Sequence, residues 1–209
     1  MPKKEVPLGQ LQNYLPAGTL PAVMTFLEKY HVHLTVTRER RSVLGDYRHK
    51  TGDHHHRISV NGNLNHWAFL VTLLHELAHL LCFEQYHGRV SAHGTEWKRI
   101  YGDLLAVFLR DHVFPADIDK ELKQMLVNPG ASSCAEDGLV RVLRRYDKKA
   151  EGMLLVEQLQ PGDSFILSDG RVFMLGEKLR KRYKCKEIKT GKWYLFSPVF
   201  EVKKLEPPV

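Results

Sequence analysis

The sequence predicts an α+β protein, with a helical domain that contains a small antiparallel sheet and a small β-rich, barrel-like domain after it. Two observations support this fold class. Apolar residues in the middle of the chain recur at the period of buried helices. After residue 130, short alternating segments separated by turn signals replace that period. The segment NPGASS, Asn128 to Ser133, breaks the pattern, so we expect domains at 1–130 and 131–209.

The first domain should open with a helix and a sheet. The segment TLPAVMTFLEKYHV combines helical spacing with a proline that suits a first turn. Strands are expected around Leu34, around Val43 as the partner of the first strand, and around Ile58. The run HHH before the last of these is interpreted as a loop. Helices then follow from Trp67 to Phe83, around Trp97 and in PADIDKELKQML.

In the second domain, a short helical segment, LVRVLRRYDKKA, precedes the predicted strands. The strands are SFIL, RVFML, RYKCKEI and WYLFSPVFEV, and the turn signals PGD, SDGR and KTGK separate them. This alternation of short strands and turns predicts a small barrel or an SH3-like unit.

Composition indicates an ordinary globular protein, since 43% of the 209 residues are hydrophobic and 26% are charged. The first residues do not resemble a signal peptide, and no stretch is expected to approach the roughly 20 apolar residues that span a bilayer. We therefore expect a cytoplasmic protein without a membrane partner. Three separated cysteines indicate neither a disulfide framework nor a zinc ribbon. The oligomeric state is left open.

The segment HELAH, His75 to His79, lies within the long apolar helix. Residues four apart on a helix are separated by about 40° around its axis, so His75 and His79 can reach one metal ion. Glu76 lies to one side, where its carboxylate can accept a proton from a water molecule. Because apolar residues surround all three, burying them without a partner would be costly. The pattern therefore predicts a metal site with Glu76 as the general base.

A catalytic zinc site needs a third protein ligand and leaves one position open. Candidates downstream are Glu84, His87, His93 and Glu96. His93 stands directly before the next helix, whose N-terminus disfavours a charged imidazolium, and Gly94 after it permits a tight turn. Glu96 is the main rival, because a site with two histidines and one glutamate would use it.

HELAH, followed by HG and then TEWK, resembles the SprT-like metalloprotease family over roughly residues 18 to 127. The resemblance implies a compact zincin-like domain with one Zn²⁺ on His75, His79 and His93, and Glu76 as the general base. It also implies a protease that acts on proteins associated with or crosslinked to DNA, and hence a role in DNA repair. Many members carry a C-terminal zinc ribbon with paired cysteines, which this sequence lacks.

The C-terminal region carries the excess positive charge. Residues 138–209 contain 16 Lys and Arg against 9 Asp and Glu, whereas residues 1–137 contain 15 of each. Basic and aromatic residues alternate in GEKLRKRYKCKEIKTGKWYLF, as in proteins that bind phosphates and stack on unpaired bases. The nucleic-acid-binding candidates are Arg180, Lys181, Arg182, Lys184, Lys186 and Trp193. A strand with a solvated basic face would give the same pattern.

The sequence thus predicts a zinc-dependent endopeptidase with a protein substrate and a DNA partner. Two alternatives remain open. One is a nucleic-acid-associated protein whose metal site is structural or whose proteolysis is latent. The other is a zinc hydrolase of a small amide, which would need a closed pocket rather than an exposed groove.

Overall fold

The computed structural model describes residues 8–40, 42–126, 130, 134, 136–147 and 152–205. The chain divides into two compact units, residues 1–147 and residues 148–209. The predicted boundary near residue 130 falls inside the first unit. Leu139 and Leu143, from the short helix expected in the second domain, are buried in the core of the first unit.

The first unit holds five α-helices and three strands in its described part. In chain order they are α1 (Leu20–Lys29), β1 (His33–Thr37), β2 (Gly45–Arg48), β3 (Arg57–Asn61), α2 (His66–Tyr86), α3 (Thr95–Arg110), α4 (Ala116–Met125) and α5 (Asp137–Leu143). The four predicted helices of this domain and its predicted strands are therefore all present, with shifted ends.

The strand order of the sheet in the first unit is β1-β3-β2, with β1 parallel and β2 antiparallel to β3. The expectation of an antiparallel sheet in which the second strand pairs with the first is therefore wrong. Arg40, between β1 and β2, explains part of the difference. Its guanidinium donates hydrogen bonds to Asn61 Oδ1 at 2.8 Å and to Ser59 Oγ at 3.0 Å. These bonds tie the connecting segment to β3, and β2 becomes an edge strand.

Helix α2 is the central element of this unit. The Asn65 side chain caps its first turn by accepting a hydrogen bond from the backbone N–H of Ala68, and His87 ends it in a left-handed conformation. At 21 residues and a mean hydropathy of 1.3, α2 is long and apolar enough to cross a membrane. This corrects the expectation that no segment approaches such a length. Most of α2 is buried inside the unit, as in the core helix of a globular domain.

The second unit contains six strands in its described residues: β4 (Met153–Leu155), β5 (Ser164–Ile166), β6 (Val172–Leu179), β7 (Arg182–Glu187), β8 (Trp193–Phe196) and β9 (Glu201–Lys204). They form one antiparallel sheet in the order β4-β9-β5-β6-β7-β8, curled around Phe165, Phe173 and Phe196. The expected single segment WYLFSPVFEV is divided into β8 and β9. The predicted α+β class with a β-rich second part is confirmed.

Candidate metal centre

Three imidazole rings from two segments meet beside α2. His75 and His79 lie one helical turn apart on α2, with ring centroids 5.0 Å apart. His93 lies in the turn before α3, and its Nε2 is 3.2 Å from Nε2 of His75. One ring nitrogen from each of the three residues lies within 4.8 Å of the others. The structure therefore brings together the three histidines that the sequence analysis selected.

The spacing of these nitrogens fits a tetrahedral zinc ion. A Zn–N distance of about 2.0–2.1 Å places two nitrogens on a tetrahedron ~3.3 Å apart. The 3.2 Å between His75 and His93 is close to that value. Neutral imidazole is a good zinc ligand, and three of them leave a fourth position open. The residues present thus fit the metal that the motif implies.

The turn before α3 is tight, as expected from Gly94, whose backbone N–H donates a hydrogen bond to the carbonyl oxygen of Ser91 at 3.0 Å. His93 itself adopts the left-handed conformation, with φ of 60°, whereas Gly94 has φ of −71° and caps α3 from an extended conformation. Glycine is required for another reason. A Cβ on Gly94 would lie 3.0 Å from the carbonyl oxygen of Ser91. The glycine therefore permits the close approach that turns His93 towards α2.

The rival third ligands are not members of this group in the described structure. Glu96 is not part of the metal-compatible group formed by the three histidines. Glu84 accepts hydrogen bonds from His56 and Lys50 instead. His87 is the C-cap residue of α2.

The Trp97 ring packs against all three imidazoles. Its centroid lies 4.7 Å from that of His75, 5.1 Å from that of His79 and 4.6 Å from that of His93. The ring is fully buried. A helical period predicts Trp97 only as a core residue, but in the structure it is also a wall of the metal centre.

Burial governs the protonation of this site. Burial, and secondarily the neighbouring imidazoles, lowers the pKa of His75 to about 3 and that of His79 to about 4. Burial and the nearby Lys98 also lower the pKa of His93. All three rings are therefore neutral at physiological pH, which is the form that binds a metal.

Glu76 is buried, with 5% of its surface exposed. Burial, and secondarily the charge of Asp46, raises its pKa to about 8, while Arg40 acts in the opposite direction. Gly45 of β2 lies directly against it, because a Cβ at that position would fall 2.5 Å from Glu76 Oε1. A carboxyl group that can gain or lose a proton near neutral pH thus lies against the edge strand, on the residue that follows His75 in α2.

With this geometry established, comparison with known families is informative. The model of the SprT-like family matches residues 21–115. This segment belongs to the SprT-like family. No curated protein and no solved structure matches the chain. The SprT-like segment contains both HELAH and His93, so it is a metalloprotease-type, zincin-like domain by family as well as by site composition.

Sequence reasoning missed one polar group inside the SprT-like segment. The Tyr47 hydroxyl is 2.9 Å from His56 Nδ1, and His56 Nε2 is 3.2 Å from Glu84 Oε1. His56 belongs to the run HHH, which was interpreted as a loop, yet only 2% of its surface is exposed. Its position after exposed histidines gives no local signal of burial, because its partners lie in β2 and α2.

The basic candidates lie in the second unit, outside the SprT-like segment. Arg180 and Lys181 are exposed between β6 and β7. Along β7, Arg182, Lys184 and Lys186 alternate with the buried Cys185 and Glu187.

Trp193 of β8 pairs with Lys186 of β7, and about half of its surface is exposed. The ammonium groups of Lys184 and Lys186 lie 4.7 Å and 5.9 Å from its ring centroid. Met174 and Leu195 pair with these two lysines and are also exposed. We call Met174, Lys184, Lys186, Trp193 and Leu195 the lysine–tryptophan face.

Purified protein should contain about one zinc ion per chain, because three imidazoles offer one catalytic-type site. His93→Ala should weaken zinc binding strongly, as measured by competition with a chelator. Glu96→Ala is the control and should retain wild-type affinity. If Glu96→Ala weakened zinc binding and His93→Ala did not, Glu96 would be the third ligand.

Zinc binding should also resist acidification. Three ordinary histidines with pKa near 6.5 would lose about 1,000-fold in affinity between pH 7.5 and 5.5, because protons compete for each ring. The pKa values of about 3 and 4 keep His75 and His79 neutral over that range, and the pKa of His93 is also lowered, so the loss should be about tenfold or less. Chelator competition at the two pH values, corrected for protonation of the chelator, measures this loss of affinity. A 1,000-fold loss would contradict the neutral, buried cluster.

Proposed function

We propose that this chain is a zinc-dependent endopeptidase of the SprT-like type that cleaves proteins associated with DNA. The main support is the arrangement of side chains and backbone at the candidate metal centre. Three convergent imidazoles lie beside a buried carboxyl group, and an edge strand runs next to that group.

The number of protein ligands favours a catalytic over a structural zinc. Structural zinc sites are usually closed by four protein ligands, whereas catalytic sites have three and keep one position for water or substrate. The metal-compatible group in the described residues contains three histidines, and two of them, His79 and His93, are partly exposed. An accessible fourth position supports catalysis rather than a purely structural role.

Strand β2 favours an extended peptide over a small amide as the substrate. It is the edge of its sheet, and no other described strand pairs with its outer side. The backbone carbonyl of Leu44 accepts a hydrogen bond from Asn61 in β3. In an antiparallel pair these inward bonds alternate, so the backbone groups of Gly45 and Tyr47 point away from β3. A substrate strand can pair with them next to Glu76.

The division of roles follows from these positions. His75, His79 and His93 would hold zinc, which when bound polarises a scissile carbonyl and makes water more acidic. Glu76 takes a proton from water and returns it to the leaving amine. A nearby cation lowers the raised pKa of Glu76 again, which keeps it able to accept a proton at neutral pH. Strand β2 holds the peptide extended beside this carboxylate.

The second unit supports DNA as the partner that brings substrates to the enzyme. The lysine–tryptophan face combines ammonium groups, which can neutralise phosphates, with an exposed indole ring on which a base can stack. Arg180 and Lys181 add charge at the adjacent turn. Exposed aromatic and aliphatic side chains on a basic sheet face fit single-stranded nucleic acid better than a duplex, whose bases are already stacked.

Glu76→Gln should retain zinc and the fold but lose cleavage, since an amide of the same size cannot take the proton. General base catalysis contributes about 100- to 10,000-fold, so cleavage of a DNA-bound protein substrate should fall at least 100-fold. The measurement is gel-based cleavage with and without DNA, with zinc content determined in parallel. Glu96→Gln is the control and should remain active. Loss of zinc from Glu76→Gln would mean that Glu76 is a ligand.

The full-length variant Trp193→Leu should bind a single-stranded oligonucleotide more weakly by about 1–3 kcal/mol, because leucine cannot stack on a base. Trp193→Phe should retain most of the affinity. Replacing Arg180, Lys181 and Arg182 together should reduce the slope of log affinity against log salt by about 2. Fluorescence anisotropy over a salt series measures these effects, with Lys203→Ala on β9 as a control. Wild-type binding by all variants would show that this face is only a solvated surface.

A further inference from the structure

A chain of hydrogen bonds lies outside the imidazole cluster and joins three elements of the first unit. The Tyr47 hydroxyl of β2 is 2.9 Å from Nδ1 of His56, which precedes β3. Nε2 of His56 is 3.2 Å from Oε1 of Glu84 on α2. Tyr47 and Glu84 are partly buried, and His56 is almost fully buried. No step of the proposed reaction uses these residues.

The chemistry of the partners sets the direction of each bond. Glu84 also accepts a hydrogen bond from Lys50 Nζ at 2.8 Å, which favours its ionised form. An ionised carboxylate can only accept hydrogen bonds. Nε2 of His56 therefore carries a hydrogen and donates the hydrogen bond to Glu84. Nδ1 of a neutral His56 is then an acceptor, and the Tyr47 hydroxyl donates to it. Both ring nitrogens of His56 therefore have a hydrogen-bond partner, and the bond from the Tyr47 hydroxyl to Nδ1 fixes the orientation of Tyr47.

Strand β2 runs alongside the metal-binding part of α2, and Tyr47 is at the middle of this contact. Gly45 lies against Glu76 at one end. The Tyr47 ring is parallel to that of His79, with an interplanar angle of 5° and centroids 6.3 Å apart. Beyond it, the His49 ring stacks on Phe83 at 4.6 Å. The strand therefore follows the helix past the proposed general base and then past a proposed ligand.

The His79 ring consequently has Trp97 on one side and Tyr47 as a parallel neighbour. The plane of an imidazole ring decides where its nitrogen lone pair points, so groups that fix the plane also fix the ligand direction. We propose that Tyr47, oriented by His56 and Glu84, is a positioning residue that sets the plane of the His79 ring and the spacing between β2 and α2. This inference rests on the metal site of the proposed function.

A purely structural hydrogen bond would change the stability of the protein and nothing else. A positioning role also changes the geometry and the affinity of the metal site. Tyr47→Phe separates the two possibilities, because it keeps the ring and removes only the hydroxyl. Tyr146→Phe is a matched control, since the Tyr146 hydroxyl donates to Asp117 at 2.8 Å and that bond is not part of the metal centre.

The test uses full-length protein loaded with Zn²⁺ or Co²⁺. Tyr47→Phe should weaken zinc binding about tenfold in chelator competition, the lower end of the range for residues that orient ligands. It should also alter the visible absorption of bound Co²⁺, which reports ligand geometry. Tyr146→Phe should lower the melting temperature without changing either metal readout. Lys50→Met, which removes only the exposed partner of Glu84, should leave the cobalt spectrum unchanged.

A second variant tests whether the effect depends on the whole hydrogen-bond chain or on the Tyr47 hydroxyl alone. Glu84→Gln removes the charge that orients His56, and its cobalt spectrum should change in the same direction as that of Tyr47→Phe, by a smaller amount. If wild-type protein binds zinc but Tyr47→Phe matches Tyr146→Phe in both metal readouts, the positioning role is overturned and the proposed function stands. Wild-type protein that binds no zinc would overturn both.

Discussion

The first unit depends on the need to bury helix α2 while keeping one polar face of it accessible. Leu73, Leu74, Leu77 and Leu80 are completely buried, and full burial of such a side chain contributes about 1.5–3 kcal/mol. His75 and Glu76 lie on the same helix and are buried almost as deeply, where an unpaired polar group costs roughly 1–3 kcal/mol in proteins. The surrounding leucines offset this cost, so polar groups stay where packing alone would exclude them.

The same burial gives the site its chemical properties. Removing imidazoles from water disfavours their charged form, so the cluster is neutral and ready to bind a cation. Removing the Glu76 carboxyl from water has the opposite effect on its pKa and makes it a better proton acceptor once ionised. Trp97 and Tyr101 provide the apolar surroundings, with ring centroids 4.7 Å and 5.4 Å from that of His75. The neutral state of the imidazoles and the raised pKa of Glu76 therefore have one common cause.

Local sequence signals predicted the parts of the site that depend on helical geometry. The four-residue spacing of His75 and His79 places both on one face of any helix, whatever surrounds it. His93 could be selected because it precedes a helix, although sequence alone could not rank it firmly above Glu96. Gly94 predicted a tight turn, but not which residue of that turn is left-handed. A glycine normally indicates a left-handed conformation, but here a histidine adopts it and the glycine relieves a steric clash.

Pairing between strands that are distant in the sequence was harder to predict from local patterns. A parallel β1–β3 pair and an antiparallel β2–β3 pair require the same alternation of residues as a simple hairpin, so the pattern could not distinguish them. The hydrogen bonds of Arg40 to β3 contribute to the observed pairing, and they are formed only in the folded chain.

The edge position of β2, the burial of His56 and the contact of Tyr47 with His79 all follow from that pairing. The histidines of the candidate metal site could thus be identified from local signals, whereas the residues packed beside them depend on which strand becomes the edge of the sheet. An edge strand must leave one row of backbone groups free, and the side-chain hydrogen bonds that fix β2 to α2 do not use that row. This explains physically why a buried histidine and a tyrosine lie between β2 and α2 where apolar residues would otherwise pack.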